Sequence, residues 1–109
     1  MITDPETAPQ LRHIVLFGFK DETTDAEITE IVRRFAALLD LIPGIADLEW
    51  GVNSSPEGKN QDLTHGFTLT FTSDAARDAY LIHPDHIAFA EWAGTWIERV
   101  TVFDYWART

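Results

Sequence analysis

The stretch Leu11-Arg12-His13-Ile14-Val15-Leu16-Phe17-Gly18-Phe19 decides how this chain folds. β-Branched and aromatic residues run through it with no breaker before Gly18, which is the pattern of a strand. Alternation puts Leu11, His13, Val15, Phe17 and Phe19 on one face and Arg12, Ile14, Leu16 and Gly18 on the other. Both faces are apolar in the middle, as in a strand covered on both sides.

Downstream, Thr24-x-x-Glu27 is a capping-box pattern that opens a helix. Ile28, Ile31, Val32, Phe35, Leu38, Leu39 and Ile42 recur at three- and four-residue spacing and form one apolar stripe, until Pro43-Gly44 stops the helix. Leu48, Trp50 and Val52 alternate with polar or small residues as a second strand. Residues 54–62 read as a loop, and residues 64–72 alternate strictly as a third strand, with His65, Phe67, Leu69 and Phe71 on one face. Ser73 caps a second helix. Pro84 interrupts it, so His83 sits at a boundary and Pro84 starts a new helical turn that ends near Gly94. A last strand runs from Ile97 to Trp106 and sets Ile97, Arg99, Thr101, Phe103 and Tyr105 against Glu98, Val100, Val102, Asp104 and Trp106.

The order is β-α-β-β-α-β, an α+β ferredoxin-like plan with an antiparallel sheet and both helical segments on one face. The other face is bare. On the first strand it carries Ile14 and Leu16, or else Val15 and Phe17. A large apolar sheet face is an association surface, and face-to-face pairing of two copies closes a dimeric α+β barrel.

The chain has 109 residues, one domain's worth. Residues 1–10, with Pro5 and Pro9 and no periodicity, read as a flexible arm; residues 11–109 read as the single domain. An apolar fraction of 45% and a charged fraction of 24% are ordinary for a folded protein. No apolar run reaches the ~20 residues of a bilayer span, so no membrane partner is expected. No signal peptide is visible, and a cytoplasmic protein is expected. The absence of cysteine excludes disulfides, thiolate catalysis and cysteine metal sites. A net charge of −10 repels phosphate backbones, so no nucleic acid is expected as partner. No glycine-rich phosphate loop and no serine-nucleophile motif occurs. His83-x-x-His86 has a spacing that suits zinc, but no third ligand follows by motif.

Three segments carry a resemblance: Leu11-Arg12-His13-Ile14-Val15-Leu16-Phe17, Ile42-Pro43-Gly44-Ile45, and above all Tyr80-Leu81-Ile82-His83-Pro84-Asp85-His86. With the Lys20-Asp21 turn and Phe103-Asp104-Tyr105, the chain resembles the stress-responsive dimeric A/B-barrel family (Dabb) over about residues 11–106. The resemblance implies a homodimer and a stress-associated role. Polyketide-cyclase chemistry within the family implies a catalytic histidine at His86, a partner tyrosine at Tyr80 and a pocket histidine at His13. It places Ile31, Phe35, Phe67, Leu81, Phe89, Ala90, Ile97, Val100 and Val102 around a ligand pocket, and Val15 and Phe17 share the strand face of His13. It implies no organic cofactor. It also implies a structural magnesium ion on the backbone carbonyls of Leu39, Ile42 and Ile45.

The chemistry follows from the residue types. His86 is the third residue of a helix that begins at Pro84, where the helix dipole disfavours imidazolium and Asp85 favours it. A neutral imidazole accepts a proton as a general base, and a tyrosine hydroxyl at a ketone oxygen stabilises an enolate. Such a pair supports a cofactor-free aldol-type cyclase acting on a small polyketide-like or aromatic compound. The plainer reading of each residue stands beside it. His83 and His86 cap backbone groups at a helix junction, Tyr80 is a core aromatic, and His13 and His65 are hydrogen-bonded core histidines. Two other functions fit the same fold: a non-catalytic stress-associated ligand binder or structural dimer, and a cofactor-independent monooxygenase.

Overall fold

Leu11, His13, Val15 and Phe17 are buried, while Arg12, Ile14 and Leu16 keep partial exposure. The two-faced first strand therefore turns Val15 and Phe17 toward the helices and Ile14 and Leu16 toward the bare side. The computed structural model describes residues 9–109, so the arm expected over 1–10 lies outside the described residues except for Pro9 and Gln10. Gln10 is tied down, because its carbonyl accepts from the Ala107 N–H at 2.8 Å.

The elements are β1 (Leu11–Phe19), α1 (Asp25–Leu41), β2 (Asp47–Val52), β3 (His65–Phe71), α2 (Asp74–Leu81), α3 (Pro84–Ala93) and β4 (Ile97–Trp106). Local chemistry sets their ends. The Glu27 N–H donates to Thr24 Oγ1 at 3.2 Å, and the Thr24 N–H donates back to Glu27 Oε1 at 2.9 Å, closing the capping box of α1. Gly44, at φ +100°, takes the left-handed conformation that turns the chain into β2. Ser73 Oγ accepts from the Ala76 N–H at 3.1 Å and starts α2.

The four strands run in the order β2-β3-β1-β4, each neighbour antiparallel. This is the ferredoxin-like sheet. Its helix-side face supplies Leu11, Val15, Phe17, Phe67, Leu69 and Phe71 to the core. The stripe of α1 meets them, with Phe35 stacked on Phe67 at 4.2 Å between ring centroids and close to Phe17 and Phe89. On the opposite face, Phe103 lies across from Ile14 and Tyr105 across from Arg12. Phe103 is 64% exposed and Tyr105 44%, so the bare face is apolar where it is most open.

One feature departs from simple alternation. Gly18 pairs with Arg99 but Phe19 pairs with Ile97, so Glu98 is an extra residue in β4. The bulge flips the parity of the strand. Ile97, expected on the side of Arg99, instead shares the helix-side face with Val100 and Val102.

Gly18 stands at this bulge because the loop before β3 crosses it closely. A Cβ there would lie 2.5 Å from the Asp62 carbonyl oxygen, a backbone atom that cannot swing aside. Gly18→Ala is expected to destabilise the fold by about 1–3 kcal/mol. Gly51→Ala, where a Cβ meets nothing within 4 Å, should stay within about 0.5 kcal/mol of wild type. Thermal melts of the two variants check this; equal melting temperatures would contradict the close approach.

Candidate functional site

Pro84 shapes the site first. Its ring has no N–H and ends α2, and His83 takes the cap, its Nδ1 accepting from the Asp85 N–H at 3.1 Å. His83 is thereby committed to the backbone. The break turns the chain so that the ring centroids of Tyr80 and His86 lie 4.3 Å apart, a tilted contact.

His86 Nδ1 lies 3.1 Å from the Leu81 carbonyl oxygen. A carbonyl only accepts, so this nitrogen carries the proton and Nε2 is left as the basic lone pair. Burial lowers the His86 pKa below the ordinary histidine value, and His13 nearby pushes the same way, against the Leu81 bond. The direction left open between helix dipole and Asp85 is thus downward, with desolvation as the main cause. Tyr80 is 1% exposed, and its hydroxyl has no hydrogen-bond partner among the described residues. Burial raises its pKa far above the usual tyrosine value, so the hydroxyl stays protonated.

His13 approaches from β1. Its ring is 3% exposed and edge-on to Tyr80 at 5.8 Å. Pairing of β1 with β4 sets Asp104 opposite His13, and Asp104 Oδ1 lies 2.8 Å from His13 Nδ1. Arg77 of α2 donates from Nη1 to Asp104 Oδ2 at 2.7 Å and from Nε to Asp78 Oδ1 at 2.8 Å.

These groups open onto one cleft of ≈ 640 Å³ between the helix-side face of β1 and β4 and the pair α2–α3. That volume suits a small organic ligand. His13, Tyr80 and His86 all line it, as do Val15, Phe17, Phe35, Leu81 and Phe89. Ala90, Ile97, Val100 and Val102 complete the apolar wall. Ile31 and Phe67, expected on that wall, lie one layer back: both are fully buried, and Phe35 covers Phe67. Arg77, Asp78 and Asp104 line the cleft without having been singled out as site residues. His65 stays apart, bonded to Thr64 Oγ1 at 2.9 Å and packed on Phe19.

The segment read as a carbonyl cation site follows α1. Ile42 is its C-cap, with its N–H donating to Leu38 O at 2.9 Å. Four residues after Leu39 stands Pro43, which has no N–H to offer, so the Leu39 carbonyl lacks the usual helical donor. Main-chain oxygens freed in this way suit a hard cation. Among the described residues no group of three His, Cys, Asp or Glu is placed to hold a metal.

Residues 11–107 match the family described as Stress responsive A/B Barrel Domain. Olivetolic acid cyclase of Cannabis sativa is 32% identical over 98 residues, covering 90% of this chain and 97% of that protein. The stress-response A/B barrel domain-containing protein HS1 of Arabidopsis thaliana is 34% identical over 100 residues, 92% of each chain. A solved dimeric ferredoxin-like protein of unknown function from Jannaschia sp. CCS1 superposes with a TM-score of 0.76 at 28% identity, covering 88% of this chain and 97% of that one. A match that spans every strand and helix described above, β1 to β4, makes this chain a member of the stress-responsive A/B barrel domain family.

Proposed function

We propose that the chain binds a small, uncharged apolar or aromatic compound bearing carbonyl groups and closes a ring in it by a cofactor-free aldol-type reaction. The observation that carries this reading is the pairing of His86, with Nε2 free, and Tyr80, with a buried unpartnered hydroxyl, at 4.3 Å over one cleft. His86 Nε2 takes a proton from the carbon between two carbonyls. The Tyr80 hydroxyl donates to the carbonyl oxygen that becomes the enolate. The enolate carbon forms a bond to a second carbonyl of the same molecule, and the alkoxide so formed takes the proton back from His86. Apolar walls hold the chain folded and keep water out. Asp104 orients the His13 ring. The preference for an uncharged compound follows from the lining: Arg77 is matched by Asp78 and Asp104, so among the described residues no unmatched Lys or Arg lines the cleft. Similarity to olivetolic acid cyclase supports the reaction class.

Two structural proposals accompany it. The bare sheet face, with Ile14, Leu16, Phe103 and Tyr105, packs against a second copy to form a homodimer; the likeness to a dimeric ferredoxin-like protein supports this. A magnesium ion, where bound, is held by the carbonyls of Leu39, Ile42 and Ile45 and stiffens the turn after α1.

Turnover of a panel of poly-β-ketones, followed by appearance of ring-closed product, tests the reaction; no turnover across the panel would leave a ligand binder. With activity in hand, His86→Ala is expected to lose on the order of 10²–10⁴-fold in kcat. Tyr80→Phe should lose less activity and melt no lower than wild type, because it removes a buried unsatisfied hydroxyl that costs about 1–3 kcal/mol.

The pH dependence has a fixed sign. His86 works unprotonated and its pKa lies below the ordinary 6.5, so kcat/KM should hold level from neutral pH to below 6.5 before falling in acid. The same shift makes stability fall with pH below 6.5, since the unfolded chain takes up that proton first. A pH–rate profile with its acid limb above 6.5 would contradict the assignment.

Sedimentation at micromolar concentration should show a dimer with an interface on the order of 2,000 Å² or more in total. Phe103→Asp should release monomers; a wild-type monomer would refute the pairing.

A further inference from the structure

The cleft runs along β4, from Asp104 through Val102 and Val100 to Ile97, and along the helices from Arg77 through His86 and Ala90 to Gly94. Its two ends differ. At Ile97 and Gly94 the main chain itself turns from α3 into β4, and the Trp96 N–H bonds the Ala93 carbonyl at 3.0 Å. That end is bounded by the main-chain turn at Gly94 and Ile97. At the other end α2 packs principally on β3 and α3 rather than on β4. There the span between helix and edge strand is crossed by side chains: Arg77 Nη1 reaches Asp104 Oδ2 at 2.7 Å.

Arg77 is held firmly in that pose. Its side chain is 21% exposed and that of Asp104 23%. Nε donates to Asp78 at 2.8 Å, and Nη2 lies 3.7 Å from Asp74. Asp104 is braced in turn, with Oδ1 on His13. A guanidinium bonded along two edges loses little further freedom in bridging. The arrangement is more than a surface ion pair. It joins α2, β4 and β1 across the mouth of a cleft.

We propose that the Arg77–Asp104 bridge is a strap that closes this end of the cleft and sets the longest substrate the site accepts. This rests on the binding reading above and adds to it a specificity residue outside the reacting pair. A ligand that reacts between Tyr80 and His86 directs its tail along the apolar wall. The tail meets backbone at Gly94 or the strap at Arg77, so the strap is the end that a side-chain change can open.

The experiment titrates wild type, Arg77→Met and Arg77→Lys calorimetrically with 4-alkylphenols of increasing tail length. Each added methylene that fits should tighten binding about fourfold, up to a length at which affinity stops rising. Arg77→Met keeps the aliphatic bulk and loses the ionic bridge. It is expected to move that limit outward by two or more carbons, whereas Arg77→Lys, which keeps a cation at the bridge, holds the wild-type limit and shows that the site survives substitution. A Met variant with the wild-type limit, or a Lys variant relaxed as far as Met, overturns the strap while the binding reading stands. Wild type that binds no member of the series overturns the binding reading and the strap with it.

Discussion

The site depends on one missing hydrogen-bond donor. His86 stands six positions after Tyr80. In an unbroken helix they would stand some 120° apart around the axis and about 9 Å apart along it, facing different surroundings. Pro84 cannot donate to the turn before it, so α2 stops and α3 starts at a new angle. The same break lets the His86 ring reach back to the Leu81 carbonyl, which that turn leaves without a regular helical partner. One backbone defect thus fixes a distance, a tautomer and a direction of approach together. His83, although it belongs to the same segment, is spent on capping the second helix.

The sheet supplies the rest by arithmetic of register. β1 is an inner strand, flanked by β3 and β4. Its alternation puts His13 in line with Val15 and Phe17 on the helix side, and antiparallel pairing sets Asp104 opposite His13. A histidine buried among Phe71, Tyr80 and apolar residues needs a partner for its donor nitrogen, and the Asp104 carboxylate is that partner. The aspartate in turn is held by Arg77. A polar chain of this kind at the end of an apolar cleft is satisfied within itself.

Most of the fold was legible in the residues because its signals are local. The Thr24–Glu27 box, the stop at Pro43-Gly44 and the alternation of residues 64–72 each depend on neighbours within a few positions. Both bounds of β4 were legible for the same reason, and so were its faces from Arg99 onward, but the face of Ile97 was not, because the bulge at Glu98 is decided by pairing with β1. Arg77 and Asp104 escaped notice as site residues for a related cause. A charged pair between a helix and a distant strand has no spacing signature. A signal existed in retrospect: Arg77 stands three residues before Tyr80 on one helix face, and β1–β4 pairing brings Asp104 to His13. Ile31 and Phe67 show the opposite failure. Likeness of position put them on the cavity wall, but the wall is set by which side chain lies on top, and at that point it is Phe35.

Cofactor-free proton chemistry needs an acid that stays protonated and a base that stays unprotonated within one small space. Burial is the leading cause of a shift in each sense here, because it always penalises the charged form. For tyrosine the charged form is the deprotonated one, and the pKa rises. For histidine it is the protonated one, and the pKa falls. Desolvation therefore drives the two groups apart in opposite directions, and the charge of His13 adds to it at His86. The cost appears as the unpartnered Tyr80 hydroxyl, the one buried side-chain polar atom without a partner among the described residues. A fold has little reason to keep such an atom for stability. In the cyclase reading proposed above, that hydroxyl beside a backbone-oriented histidine is the donor to a ligand carbonyl.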